Sequence, residues 1–219
     1  MKTTFVTKKY EEVMAMPKAK HQKPWKQLRF FGWLLKVVSS FDLRATNFKY
    51  QEIGMDKLGK DEPCFVLMNH SSFIDLKIAS RIFFPKPYGI VCTSDGFVGK
   101  GLLMRLLGCI PTLKFVSDVT LIRDMEYMLK TKKTSVLMFP EASYSFDGTA
   151  TPLPRKMGVL LKKLGVPVVT VITQGAFARD PLYNCLQKRK VNVSAKVKCL
   201  LTVEEIKSKT VKELDAMLD

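Results

Sequence analysis

From about residue 46 onward, short apolar runs alternate with segments of helical periodicity, and this alternation constrains the fold more than any other feature. The apolar runs predict strands at residues 47–53, 64–69, 88–93, 109–113, 135–139, 166–173 and 192–201. The helical segments predict helices at residues 76–84, 98–107, 117–131, 154–164, 204–208 and 211–218. Strands that alternate with helices build a sheet with helices on its faces. The sequence therefore predicts an α/β fold with a mixed, largely parallel sheet flanked by helices.

The N-terminal part has a different character and predicts a separate segment, residues 1–45, ahead of a domain at 46–219. Between Trp25 and Phe41, Lys26, Arg29 and Lys36 fall within about 80° of one another at 100° per residue. Apolar and aromatic residues, including both tryptophans, fill the rest of the helical wheel. Such an amphipathic helix can lie in a membrane interface; the alternative is a helix packed on its own domain with lysines in water. The apolar run 30–38 is far shorter than the roughly 20 residues that span a bilayer.

The balance of charge favours an anionic partner. The chain has 36 Lys and Arg against 20 Asp and Glu, a formal net charge of +16. Such a basic surface is suited to binding nucleic acid, an acidic membrane surface, or an acidic carrier or cofactor. Nucleic acid is disfavoured because the aromatic residues lie in apolar runs and are not interleaved with exposed basic residues. Five cysteines without C-x-x-C spacing and only two histidines predict reduced thiols and no metal site.

His70 and Asp75 lie between a predicted strand and a predicted helix. In open α/β sheets this edge, beyond the carboxyl ends of the strands, is where ligands bind. A neutral imidazole there can accept a proton from a hydroxyl, and a carboxylate can hold the other ring nitrogen and fix the tautomer. The spacing therefore predicts a catalytic pair. The alternative is that Asp75 is only a helix cap.

Two further strands end in polar residues. The strand 109–113 is followed by Lys114, and the strand 135–139 leads to Glu141. Hydroxyl-bearing residues follow that carboxylate: Ser143, Tyr144 and Ser145. Alone, Lys114 is one of many surface lysines and Glu141 a loop residue. Together with His70, however, Glu141 places a base and a second carboxylate at one edge of the sheet.

In order and spacing, these segments resemble the glycerolipid acyltransferase family typified by 1-acylglycerol-3-phosphate (lysophosphatidate) acyltransferases of the His-x4-Asp type. The resemblance covers residues 62–177, about half of the chain. Its four blocks are Asn69-His70 to Asp75, Gly108 to Lys114, Phe139-Pro140-Glu141 to Ser145, and Val166-Pro167-Val168.

The resemblance implies transfer of a fatty acyl group from acyl-CoA or acyl carrier protein to a lyso-lipid hydroxyl. The first acceptor it suggests is 1-acylglycerol-3-phosphate, which would give phosphatidate in phospholipid biosynthesis. It assigns His70 as general base and Asp75 as its orienting group, with no bound cofactor. Substrate contacts fall to Lys114, Glu141, Ser143, Tyr144 and Ser145, whereas Ser71 and Ser72 are expected to form hydrogen bonds or caps. The implied location is the cytoplasmic face of a membrane, peripheral or monotopic.

The third block departs from the family pattern. The usual Glu-Gly-Thr-Arg-Ser is here Glu141-Ala142-Ser143-Tyr144-Ser145, and the second block ends in Lys114 where arginine is usual. Lysine binds phosphate only as a point charge, without the planar fork of arginine. An acceptor without an exposed phosphomonoester, such as a lysophospholipid or a lyso-aminolipid, therefore stays open. So do a thioester hydrolase that uses water at His70 and, from charge alone, a non-catalytic membrane-binding protein.

Overall fold

A seven-stranded sheet forms the centre of the protein in the computed structural model. From one edge to the other, its strands are β1 (Lys49–Ile53), β7 (Ser194–Leu201), β6 (Val168–Gln174), β2 (Phe65–Met68), β5 (Ser135–Met138), β3 (Tyr88–Thr93) and β4 (Cys109–Thr112). The structure describes residues 11–12, 21–97, 99–113, 118–145, 148–149, 152–154, 156–179 and 187–218. Strand β7 runs antiparallel to β6, whereas all the other neighbouring strands pair in parallel. The predicted α/β fold with a mixed, largely parallel sheet is confirmed.

The strands and helices alternate along the chain as expected. The helices are α1 (Arg29–Arg44), α2 (Asp75–Phe83), α3 (Gly101–Leu106), α4 (Val119–Glu126, continued by a π-turn over Tyr127–Thr131), α5 (Met157–Leu164), α6 (Val203–Ser208) and α7 (Val211–Ala216). Short 3-10 turns lie at Met55–Lys57, Ser94–Phe97 and Ala176–Ala178.

Helices cover both faces of the sheet and create two apolar cores. In the fully buried strand β2, Val66 and Met68 face one core, which includes side chains of α1 and α2. Phe65 and Leu67 face the other core, which α4, α5, α6 and α7 complete. Burial on both faces explains why β2 is a continuous apolar run, whereas β7 alternates between buried residues and exposed lysines.

Local backbone chemistry explains where the observed boundaries differ from the predicted ones. Helix α5 begins at Met157, three residues later than predicted, because Lys156 before it has a left-handed backbone with φ 69°. Strand β6 begins at Val168, after Pro167, which has no N–H to donate to a neighbouring strand. The two C-terminal helices begin at capping boxes, Thr202 with Glu205 and Thr210 with Glu213.

Helix α1 packs on the domain along one side only. It contacts α2, and Leu43 near its end belongs to the core. Its opposite side leaves large apolar side chains in contact with solvent: Phe30, Trp33, Leu34, Val38 and Phe41. No helix within the described ranges combines the length and the apolar character needed to cross a bilayer. The division into segments 1–45 and 46–219 stays a prediction.

Candidate active site

The candidate site lies at the carboxyl edge of the central strands. Strand β2, between β5 and β6, ends at Met68, and His70 follows two residues later. Strand β5 ends at Met138, and the chain after it carries Phe139 and Glu141. Because β2 and β5 are parallel neighbours, their following loops meet at the same edge. The backbone joins them there, since the Ser145 N–H donates to the His70 carbonyl at 2.8 Å.

The His70 side chain is held by a buried carboxylate. The Nδ1 atom of His70 lies 3.1 Å from Oδ2 of Asp75. The same Oδ2 atom accepts from the backbone N–H groups of Ser71 at 2.6 Å and Ser72 at 2.9 Å. Asp75 is fully buried, and its other oxygen, Oδ1, has no hydrogen-bond partner among the described residues. Burial raises the pKa of Asp75, and the hydrogen bonds from His70 and the two amides oppose that rise.

This arrangement differs from the helix cap that the sequence left open. The N-cap position of α2 is Ile74, which makes no side-chain cap bond, and Asp75 is the first helical residue. Its carboxylate turns back onto the loop that carries His70. A carboxylate at Nδ1 favours the tautomer with the proton on that nitrogen, so Nε2 is left with a lone pair. The geometry thus leaves Nε2 of His70 with the lone pair that a base needs, and the catalytic role of the pair stays a prediction.

Two aromatic rings enclose the imidazole. Phe139 stacks on His70 with ring centroids 3.8 Å apart and planes at 19°, and Tyr144 lies 3.9 Å away at 31°. Phe73 in turn lies 5.1 Å from Tyr144. The side chain of His70 keeps 15% of its surface exposed, so the ring is oriented but still reachable. This stacking could not be predicted from the sequence, because it depends on how two loops meet.

The residues of the third block differ in how closely they are involved in the site. The Glu141 carboxyl accepts a hydrogen bond from the His70 backbone; burial raises the pKa of Glu141, and that bond opposes the rise. Ser143 is exposed, and its hydroxyl donates only weakly, at 3.4 Å, to the Glu141 carbonyl. The Ser145 hydroxyl is engaged within its own loop, donating to Thr149 O and accepting from Gly148 N. Lys114 lies outside the described residues.

Hydrogen bonds between amide and hydroxyl groups connect the His70 loop to β6. The sequence did not predict this network. Asn69 donates to the Thr173 carbonyl and accepts from the Thr173 backbone N–H at 2.7 Å. Ser71 Oγ lies 3.3 Å from Thr173 Oγ1, and Ser72 Oγ donates to the Ala176 carbonyl at 2.9 Å. The expected hydrogen-bonding roles of Ser71 and Ser72 are confirmed. The polar residues beside His70 and at the end of β6 were the only features of the sequence that pointed to this network.

Ala142 takes a backbone conformation that suits glycine. Its φ is 55°. The usual third block of glycerolipid acyltransferases has glycine at this position. A left-handed backbone costs a residue with a Cβ about 1–2 kcal/mol, and glycine's extra unfolded-state freedom costs about 0.5–1 kcal/mol. We expect Ala142→Gly to raise the free energy of unfolding by about 0.5 kcal/mol, measured by urea denaturation.

The matched control is Ala79→Gly, within helix α2. A glycine there should lower the free energy of unfolding by about 1 kcal/mol or more, since its helical backbone has no strain to relieve. Equal losses in the two variants would contradict a strained backbone at Ala142.

A histidine oriented by a buried aspartate, at the carboxyl edge of the central parallel strands, is an arrangement suited to general-base chemistry on a hydroxyl or water. The family comparison specifies the class: the model described as Acyltransferase matches residues 49–174, more than half of the chain. The chain belongs to this acyltransferase family, and the prediction of an O-acyltransferase is confirmed.

A solved structure has a similar fold. The 1-acyl-sn-glycerophosphate (LPA) acyltransferase PlsC from Thermotoga maritima aligns with a TM-score of 0.60 and 18% identity. The alignment covers 85% of this chain and 78% of that one, so the likeness extends beyond the residues of the family model. A comparison with curated protein sequences finds no significant match.

Proposed function

We propose that this protein transfers a fatty acyl group from a thioester, acyl-CoA or acyl carrier protein, to the hydroxyl of a lyso-lipid. The observation that carries the proposal is the His70 imidazole, fixed by Asp75 and still reachable at the sheet edge. The family membership supplies the reaction type, an acyl transfer. The first acceptor to test is 1-acylglycerol-3-phosphate, which would give phosphatidate, a step of phospholipid biosynthesis.

In the proposed reaction, Nε2 of His70 accepts the proton of the acceptor hydroxyl as its oxygen attacks the thioester carbonyl. Asp75 stabilises the imidazolium that forms, because its carboxylate faces Nδ1. The tetrahedral intermediate then expels the thiolate, which takes the proton from Nε2. The new ester and a free thiol leave, and no acyl-enzyme is needed.

The carbonyl oxygen gains negative charge in this step and requires donors. Two backbone N–H groups of the third block and one just after it are already engaged: Ala142 with Phe139 O, Ser145 with His70 O, and Gly148 with Ser145 Oγ. These amides are therefore poor oxyanion donors without a loop movement. We assign Glu141 and Ser143 to acceptor contacts, since both lie on the block that adjoins His70.

The acceptor headgroup depends on Tyr144. In the family pattern, this position is an arginine, which can bind a phosphomonoester with two parallel hydrogen bonds. Here a phenol ring stacks on His70 and lies near Phe73. That observation favours a second candidate acceptor, a lysophospholipid or lyso-aminolipid whose phosphate is absent or esterified.

Tyr144→Arg is expected to shift acceptor preference toward 1-acylglycerol-3-phosphate. A charge-assisted hydrogen bond contributes about 1.5–3 kcal/mol, which corresponds to a gain of tenfold or more in kcat/KM for that acceptor relative to lysophosphatidylcholine. The control, Tyr144→Phe, keeps the stacked ring and should leave the ratio unchanged. An unchanged ratio in the arginine variant would mean that Tyr144 does not face the acceptor headgroup.

The experiment that tests the function is product analysis by mass spectrometry. The purified protein is mixed with acyl-CoA or acyl carrier protein and a panel of lyso-lipids, and His70→Ala is run beside the wild type. An acylated lipid that depends on His70 supports the proposal. Free fatty acid without acylated lipid would support a thioester hydrolase instead.

We also propose that the protein works at the cytoplasmic face of a membrane as a peripheral or monotopic protein. The exposed apolar side of α1 and the net charge of +16 support this location. Phe30 and Phe41, near opposite ends of the helix, are 63% and 69% exposed. An aromatic side that stays largely exposed suits the boundary between headgroups and acyl chains.

A further inference from the structure

A groove lies beside α1, on the helical face of the domain that also holds α2. Its volume is about 680 Å³, and α1, the start of β1 and the end of α2 form its walls. Four cationic side chains line it: Lys36, Arg44, Lys49 and Arg81. None of the described residues that line it is acidic, and Phe41 and Val37 supply an apolar part of the wall. The groove thus combines concentrated positive charge with apolar surface.

The positive charge in the groove is not neutralised by the described part of the chain. None of the four cations forms an ion pair there; Lys36 instead lies 4.1 Å from the centre of the Phe84 ring. The acidic residue next along α1, Asp42, is already shared by Lys77, Lys188 and Arg179. An anion bound in the groove would therefore relieve repulsion among like charges without breaking an existing pair.

The groove adjoins the exposed apolar side of α1. At about 100° per residue, Trp33 and Arg44 lie within about 20° of one another on the helical wheel. Lys36 lies about 60° from Trp33, on the side away from Arg44. Phe41 belongs both to the exposed apolar side and to the groove. If the aromatic side of α1 rests at the acyl-chain boundary, the cations beside it lie at the depth of the lipid phosphates.

We propose that this groove binds the headgroup phosphate of an anionic membrane phospholipid. Arginine is suited to this role because its planar guanidinium binds phosphate with two hydrogen bonds. The site is separate from the catalytic pair: Arg81 lies about 9 Å along α2 from Asp75, at 1.5 Å per residue. The inference rests on the proposed membrane location and adds a specific lipid contact to it.

The test compares two triple variants that remove the same charge. The groove variant is Arg44→Gln, Lys49→Gln and Arg81→Gln, three exposed side chains whose loss should leave the fold intact. The control variant is Lys196→Gln, Lys207→Gln and Lys212→Gln, which are exposed and make no ion pair within the described chain. Lys196 alternates with the core residues Ala195 and Val197 and so faces away from α1, and α6 and α7 pack on that other side.

Binding is measured by sedimentation with vesicles of phosphatidylcholine alone or with phosphatidylglycerol added. Tryptophan emission is recorded in parallel, since both tryptophans of the chain lie at or before α1. We expect phosphatidylglycerol to strengthen wild-type binding, and the groove variant to lose about a hundredfold in affinity for those vesicles. Each cation near an anionic surface contributes about 1 kcal/mol, so three correspond to roughly that factor. The control variant should lose less than about threefold.

Equal losses in both variants, or no wild-type preference for phosphatidylglycerol, would overturn the groove as a lipid site. If inorganic phosphate raises the melting temperature as much as soluble dihexanoyl phosphatidylglycerol does, the proposal that a lipid occupies the groove is overturned. Acyl transfer in detergent micelles is assayed separately and should be unchanged in the groove variant. Failure of the catalytic proposal would appear there, as transfer that is absent from the wild type.

Discussion

His70→Ala is expected to lower the rate of acyl transfer at least about a hundredfold, with residual activity below about 1% of wild type. General-base catalysis contributes about 10²–10⁴-fold, and no other described side chain is held at this edge by a buried carboxylate. His70→Gln is a second variant that keeps a planar group between Phe139 and Tyr144. Both variants should show the same loss, measured as product formed from a thioester and a lyso-lipid.

The chain offers a matched control in its other histidine. His21 Nε2 lies 3.0 Å from Asp124 Oδ1, and Asp124 is buried, so this is a second histidine–aspartate pair, with its carboxylate on α4 and not on the His70 loop. His21→Ala should leave the rate within about twofold of wild type. Activity above a few per cent in both His70 variants would mean that another group removes the proton.

The fold could be predicted from the sequence because each strand and each helix has its own hydrophobic periodicity. Strand β2 is apolar throughout and buried on both faces, and helix α2 begins where the run after it turns amphipathic. The pair of His70 and Asp75 could be predicted for the same reason, since the two residues are only five positions apart, in one loop and the start of the helix that follows it. Local sequence was sufficient wherever local contacts determine the structure.

The rest of the site depends on segments distant in sequence. Thr173 bonds to Asn69 across 104 positions, and the enclosing rings Phe139 and Tyr144 reach His70 only because β5 and β2 are neighbours. Periodicity identifies strands but not the register or order in which they pair. The replacement of arginine by Tyr144 was visible in the sequence, whereas its stacking on the base was not.

The structure changes the expected mechanism of Asp75→Asn. From the sequence, an asparagine would be expected to favour the wrong imidazole tautomer. In the structure, the three donors given by His70, Ser71 and Ser72 converge on Oδ2, and Oδ1 has no partner within the part of the chain that the structure describes. The asparagine oxygen can occupy the Oδ2 position and still accept from Nδ1 of His70, so the tautomer is retained. What is lost is the negative charge that stabilises the imidazolium.

We therefore expect Asp75→Asn to lower kcat about a hundredfold, with KM for the acceptor nearly unchanged. A hydrogen bond to a charged group contributes about 1.5–3 kcal/mol, and 1.36 kcal/mol corresponds to tenfold in rate. Asp75→Ala, which also removes the oxygen that orients the ring, should lose more. The control is Asp124→Asn, another buried aspartate bonded to a histidine, which should retain wild-type kcat.

The pH dependence of stability checks that Asp75→Asn removes only the charge. Burial raises the pKa of Asp75 above its usual 3.8, so the native state binds its proton more tightly than the unfolded chain does. The stabilisation from the protonated form is complete below 3.8 and is lost as pH rises through the raised pKa. The melting temperature of the wild type should therefore fall relative to that of Asp75→Asn as pH rises above 3.8. A difference independent of pH, with a hundredfold loss of kcat, would mean that the substitution acts on ring orientation and not on charge.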